Sequence, residues 1–583
     1  MQKLAACFGA GDIDDILARQ NPGDWTTTTV AAGTGRLGLL AHPRAAGRYE
    51  GLLGPGLHRW GNDCLLIAGG PLNVPALATL PDLDAAVAAL CAADGTFAAI
   101  GWDARRQRLL LITDPMGLRP LHIRQEAGSI LVASDTKVFP YEPDAAGWAA
   151  FIRCGELIGD RTLARGVRRV DGGQVVSIDP VTGVQEARRY WHFEGEGAPP
   201  ALDDVIDLLV ANARDYARHF PQSQCLMSGG YDSRLIAFTL ARAGIHPPTL
   251  TVAHADEYGD LDGRIAGRMA RLAGLENRRV HPGEDFFSSP AFLDYLWASD
   301  GTTPCLYLFI AQVAQFLDGT PTWEGNLPAG LFKAVRNPRG RGLTALADTM
   351  IGSPDKPAWQ AARRLFKPGF VAAMEDGLRH DWAQSVTDLP DDAAGVWQWA
   401  ACNHMRARPG INPFRVFPNR GEVLSLGATQ TLWQQMARLD PLERLDDAYV
   451  RRLLARLDAR ALSLPLMHGN SLTPPTHRSL LYRALNIELH LRRFIERHPS
   501  AGRLFGLTKT GGFAPSIFMA TDALWTEDDP LLDMDALRVL RQGPRDVITE
   551  RMLLHWRATR WLHEKRLFTQ FNAPTAPTPL RTS

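Results

Sequence analysis

The stretch Leu226-Met227-Ser228-Gly229-Gly230-Tyr231-Asp232-Ser233-Arg234 runs from an apolar segment through small residues into helical spacing. Cys225-Leu226-Met227 reads as a short buried strand, and Ser233 to Ala243 as a helix closed by Gly244. A loop between two such elements suits a phosphate. Gly229 and Gly230 let the backbone turn tightly and approach an anion, while the N–H groups and dipole at the helix start attract negative charge. Ser228 and Ser233 add hydroxyl donors, and Asp232 is a carboxylate able to hold magnesium against phosphates. Gly-Gly alone is more often an ordinary βα turn; the full S-G-G-x-D-S string, with strand before and helix after, favours the phosphate. It is not a Walker A loop, which needs G-x-x-x-x-G-K-[ST].

Working outward, Leu202 to Phe220 is spaced as a helix and Thr249 to Ala253 as a second strand. Strands alternating with amphipathic helices predict a parallel sheet with crossover connections. Upstream, short apolar runs at Leu65–Ala68, Phe97–Ile100 and Leu109–Ile112 are separated by turn dipeptides such as Asp94-Gly95 and Asp171-Gly172-Gly173, with Leu83 to Ala93 helical between them. That part is β-rich. Gly195-Glu196-Gly197-Ala198-Pro199-Pro200 breaks the pattern, giving expected units over 1–194, a linker over 195–200, 201–530, and a helical segment with tail over 531–583. From about Asp355 the chain is helical and Arg-rich, as at Tyr449–Leu464 and His477–His498, and Asn572 to Ser583 reads as a frayed tail.

With 583 residues the chain is too long for one core. Lys+Arg and Asp+Glu each total 63, a balance that points away from nucleic acid or anionic membranes as partners. The acidic residues Asp12, Asp14 and Asp15 close behind a short apolar start argue against a secretory signal, and no apolar run is long enough to span a bilayer. Seven scattered cysteines without a C-x-x-C pair suit buried thiols in a reducing cytoplasm.

The Ser228–Ser233 loop resembles that of N-type ATP pyrophosphatases, which cleave between the α- and β-phosphates. The resemblance widens to the asparagine synthetase family, in that family's order, over roughly residues 1–520. Thr113-Asp114-Pro115-Met116-Gly117-Leu118-Arg119-Pro120-Leu121 is similar to its D-x-x-G-x-x-P-L segment, Ala133-Ser134-Asp135 to its A-S-E, and Thr162 to Val170 to its T-L-F-x-G-I-x-R-L. Gly101 to Ala104, Tyr190-Trp191 and Thr508 to Pro515 are similar to further segments. The resemblance implies an N-terminal Ntn-type amidotransferase-like β-sandwich with helices (α+β), then an α/β parallel-sheet ATP-pyrophosphatase domain with a helical C-terminal extension. It also implies ATP and Mg2+, with Ser228, Gly229, Gly230, Asp232, Ser233 and Arg234 at the phosphates, Asp232 on the metal, and Glu324 and Lys509 as catalytic residues. Lys509 is the cation expected to face the negative charge that grows at adenylation, a solvated loop lysine being the alternative.

Two departures refine this. Glutamine-dependent relatives use an N-terminal cysteine whose own amine is the base; here position 2 is Gln, and Cys7 sits in the apolar run Leu4–Phe8, so no glutaminase activity is expected unless processing exposes Cys7. Thr322 to Phe332 stands where the family has S-G-[DE]-G-x-D-E-L-F, and its acidic positions fall on Asn326, Ala329 and Gly330. That leaves altered metal binding, a shifted role for Glu324, or loss of synthetase activity. Arg234 either contacts phosphate or pairs with an acid such as Asp262. His254, Glu257, Asp260, Arg406 and Arg408 rank lower. The expected function is an ATP-dependent amide-forming ligase that turns a small-molecule or peptide carboxylate into an acyl-adenylate for attack by an amine, akin to β-lactam synthetases and lasso-peptide cyclases of natural-product pathways. The alternatives are a working asparagine synthetase using ammonia or glutamine and a non-catalytic pseudoenzyme; a homodimer is compatible with any of these.

Overall fold

The computed structural model describes residues 2–42, 56–126, 128–253, 261–283, 285–302, 312–325, 330–334, 341–353, 355–417, 420–468, 471–474, 480–497, 514–524 and 528–564. Its first half is a sandwich of two antiparallel six-stranded sheets. The strands are β1 Gln2–Phe8, β2 Thr26–Ala32, β3 Gly35–Ala41, β4 Gly56–Trp60, β5 Asp63–Leu72, β6 Asp94–Asp103, β7 Arg108–Thr113, β8 His122–Glu126, β9 Ser129–Ala133, β10 Val167–Arg169, β11 Gln174–Ile178 and β12 Gln185–Arg189. One sheet runs β10-β8-β9-β1-β3-β2, the other β12-β11-β7-β6-β5-β4. The alternation of β1 decides which side chains meet. Leu4, Ala6 and Phe8 enter the core between the sheets with Leu66, Ile100 and Leu111, whereas Ala5 and Cys7 turn outward against Ile13, Ile16 and Leu17 of helix α1, Ile13–Gln20. Helices α2, Leu83–Cys91, and α3, Ala145–Cys154, complete this half.

Asp94-Gly95 is not the turn its sequence suggests. Both residues open β6, opposite Leu72 and Pro71, because Asp94 Oδ1 and the Gly95 N–H are taken by the distant Gln430 N–H and Ala428 carbonyl, both at 2.7 Å. Asp171-Gly172-Gly173 does turn, with Gly173 at φ 66°.

Beyond the linker, helix α4, Leu202–His219, leads into β13, Gln224–Leu226; helix α5, Tyr231–Ala243, ends on Gly244 at φ 79°. Strands β14 Thr249–Val252, β15 Asn277–Val280, β16 Thr322–Trp323 and β17 Val423–Leu424 complete a five-stranded parallel sheet in the order β15-β14-β13-β16-β17. Helix α6, Leu261–Leu272, crosses from β14 to β15. The chain spreads outward from β13 on one side, then returns to lay β16 and β17 on the other. Between β13 and β16 it therefore reverses direction, the switch point where open α/β sheets form a crevice at the carboxyl ends of their strands.

The expected helix over Tyr449–Leu464 is two pieces, Ala448–Leu457 and a short turn Ala459–Leu462, since Asp458 is extended and caps the second piece. The helix expected at His477–His498 runs Leu480–Arg497. The C-terminal helix Val547–Glu564 is not peripheral: its Trp556 packs on Trp148 of α3 with ring centroids 4.8 Å apart, in a core shared with Trp359, Trp399 and Met552. Among the described residues no helix is long and apolar enough to cross a membrane.

Candidate functional site

The Ser228–Ser233 loop leaves the carboxyl end of β13, and Glu324-Gly325 leaves that of its neighbour β16, so the two flank the switch point. They touch there: a Cβ placed on Gly325 lies 3.2 Å from the backbone of Asp232, so only glycine fits without displacing that turn. Within the loop, the Ser228 and Ser233 hydroxyls are 2.8 Å apart and Ser228 Oγ accepts the Gly230 N–H at 3.2 Å. The Gly229 N–H donates to Asp262 Oδ1 at 2.9 Å. Gly230 precedes α5 and offers no capping side chain, so the first-turn N–H groups of the helix are left for an outside acceptor. Glycine backbone, paired hydroxyls and an uncapped helix start together fit a phosphate.

Arg234 does not face that crevice. It is 1 % exposed, and its two terminal nitrogens donate to the carbonyls of Ala461, Leu464, Pro465 and Gly229. Burial lowers its pKa to about 10. The side chain thus ties the segment 461–465 beneath the loop, and Asp262, its anticipated ion-pair partner, holds the Gly229 N–H instead. Thr239 and Leu240 of α5 continue the buried face behind it.

Asp232 is paired with a residue that the sequence left unnoticed. Lys333 forms an ion pair with its Oδ1, the two side chains being 19 % and 30 % exposed respectively. Burial works against the Lys333 charge, but Asp232 and then Asp447 outweigh it and hold the ammonium above its ordinary range. Among the described residues no three His, Cys, Asp or Glu side chains are grouped to hold a metal ion. The carboxylate expected to carry magnesium is paired with a cation of the protein in this structure. Glu324 is 1 % exposed and its N–H donates to Leu424 O at 3.0 Å. At Gly330, where the family has an acid, a Cβ would meet Met405 Sδ at 1.9 Å, so a side chain there requires Met405 to move. Lys509, His254, Glu257, Asp260, Asn326 and Ala329 lie outside the described residues.

In the first half, Cys7 is 6 % exposed near the end of β1, paired with Arg36 and Leu131, and burial raises its thiol pKa. The segment around Asp114 connects the halves. Asp114 accepts the N–H groups of Met116, Leu118 and Arg119, with Gly117 at φ 62°, and burial pushes its pKa up to about 6. This tight turn aims Arg119 into a buried ion pair with Glu422, immediately before β17. Arg406 pairs likewise with Asp171, and Lys137 with Asp300 at 2.9 Å.

Residues 76–140 match the glutamine amidotransferase domain family. The chain is 23 % identical over 228 residues to asparagine synthetase [glutamine-hydrolyzing] 2 of Bacillus subtilis, covering 35 % of this chain and 30 % of that protein. It is 26 % identical over 239 residues to amidase chyE of Penicillium rubens, covering 36 % and 35 %. The chain thus spans about a third of the length of these curated relatives. Glutamine phosphoribosylpyrophosphate amidotransferase from B. subtilis, solved with ADP and GMP, aligns over 48 % of this chain and 81 % of its own at 15 % identity and a TM-score of 0.23. The protein is therefore similar to asparagine synthetases and carries a glutamine amidotransferase-like segment within its N-terminal sandwich.

Proposed function

We propose that this chain is an ATP-dependent amide-forming ligase whose nucleotide site is the crevice between β13 and β16. The observation that carries the reading is the placement of the S-G-G-Y-D-S loop and Glu324-Gly325 on adjacent parallel strands at the switch point, in contact through Gly325 and Asp232. Similarity to asparagine synthetases supports the reaction class. ATP enters as substrate, its phosphates against Gly229, Gly230 and the start of α5. A carboxylate attacks the α-phosphorus, giving an acyl-adenylate and pyrophosphate; an amine then attacks the acyl carbon and expels AMP. The chain holds the departing pyrophosphate while Lys509 offsets charge growing at the reacting centre. Glu324, buried beside Gly325 at the end of β16, is the second residue proposed to act in catalysis. The buried Cys7, inside β1, favours nitrogen that is not drawn from glutamine: free ammonia, a second amine substrate, or an amine carried by the substrate itself, as in β-lactam synthetases and lasso-peptide cyclases.

The test is pyrophosphate and AMP release from ATP with a panel of small-molecule and peptide carboxylates, in a cytoplasm-like reducing buffer. Substrate-dependent release that disappears in Lys509→Ala is the expected result. No release with any carboxylate across the panel sinks the ligase reading and leaves a nucleotide-binding pseudoenzyme, for which the Lys333-committed Asp232 is the supporting observation.

A further inference from the structure

Lys333 is delivered to the crevice by its neighbours. Leu331 and Phe332 are fully buried; the Leu331 carbonyl accepts Arg444 Nε at 2.9 Å, and Phe332 stacks on Tyr449 with centroids 6.1 Å apart. From that anchor the lysine reaches toward α5, where its ammonium meets Asp232 in the first helical turn. Placing a mostly buried ammonium there is costly unless it is paired, and Asp232 supplies the pairing. The pair has no net charge, yet it stands at the uncapped start of α5, beside two hydroxyls and two glycines. A polyphosphate entering this crevice brings several negative charges, and Lys333 is a cation of the described residues placed beside the loop to meet them.

We propose that Lys333 is a phosphate-binding residue of the nucleotide site, its fixed ammonium meeting the charge of a nucleoside triphosphate or pyrophosphate, with Asp232 as the group that positions it. The proposal rests on the ATP reading above. It assigns Asp232 a different task from metal ligation: the carboxylate holds a cation that belongs to the chain. A lysine acts as a point charge on phosphate, so Arg at the same place keeps the charge while Met removes it.

The experiment is calorimetric titration of the full chain with α,β-methylene-ATP and with pyrophosphate, each in EDTA and in excess Mg2+. Wild type is expected to bind the analogue in EDTA, with Kd in Mg2+ no more than a few-fold tighter. Lys333→Met should weaken binding in EDTA by about tenfold or more, the loss of one charge-assisted contact, and Lys333→Arg should restore most of it. Asp232→Asn, with Lys333 unpositioned, should fall between. Folding is checked by circular dichroism and melting; if Lys333→Met is unfolded, Lys333→Gln is read by the same criterion. Wild-type affinity in the charge-removing variant overturns the proposal, as does wild-type binding that requires Mg2+; in both cases the ATP reading stands. Absence of analogue binding in every arm, Mg2+ included, overturns the ATP reading itself and this inference with it.

Discussion

Gly229 is closed in from one side, where a Cβ would sit 2.7 Å from Asp262 Oδ1 and 3.2 Å from Ile265. Gly229→Ala must therefore break the Gly229–Asp262 hydrogen bond or shift α6, and nucleotide Kd should rise about tenfold, roughly the worth of one such bond. An unchanged Kd by calorimetry would mean that the loop does not cradle phosphate. Arg234 should behave in the opposite way. Arg234→Met strands four carbonyls that its guanidinium now serves and should cost about 3 kcal/mol of stability, read as a lower urea midpoint, with nucleotide affinity in the folded fraction little changed. If instead affinity collapses while stability holds, the side chain is a phosphate contact. The loop string itself was legible because its chemistry is local. The duties of Arg234 and Asp262 were not, since three of the four carbonyls Arg234 binds lie more than 220 residues away and Asp262 reaches Gly229 from another helix. Lys333 was missed for the same reason: nothing near it in sequence announces Asp232.

Strands and helices around the loop were read nearly to their ends because each is punctuated, α5 by Gly230 and Gly244, and α4 by its amphipathic face. What pattern alone does not contain is sheet order, and the switch point exists only through it. Asp94-Gly95 failed for an instructive reason: turn-forming residues opened a strand once a distant segment bonded to both. The two faces of β1 also have a chemical consequence. Cys7 points to α1, not into the space between the sheets, so Cys7→Ala should leave carboxylate-dependent pyrophosphate release intact and cost about 1 kcal/mol, the loss of one small buried group. Purified protein should release no ammonia from glutamine; ammonia abolished by Cys7→Ala would reverse this assignment.

At the scale of the molecule, buried charges cross between the sandwich and the parallel-sheet half. Burial disfavours ionised Asp171, but Arg406 and then Arg189 dominate and hold its carboxyl well below the usual range; Lys137 and Arg415 do the same for buried Asp300. Because both folded values lie beneath the unfolded one, near 4, their stabilisation is complete above that pH and is lost as acid approaches the depressed values. Tm should fall steeply below about pH 4, and less steeply in Arg406→Gln, where part of the effect is already gone; parallel profiles would refute the assignment. Helix packing continues the same connection: Gly377 lets the helix Pro368–Val386 lie directly on Ala146 of α3, and Trp148 shares its core with Trp359 and Trp556. Expressing residues 201–583 alone should therefore yield aggregate, since Trp359 and Trp556 would lose the cover of α3 and face water; a soluble, monomeric fragment would contradict this. The shared tryptophan core also bears on descent. A lineage that stopped drawing nitrogen from glutamine could discard the nucleophile at little cost, but not the sandwich that had carried it, because the C-terminal half is folded around one of its helices. In such a lineage the sandwich is kept as masonry.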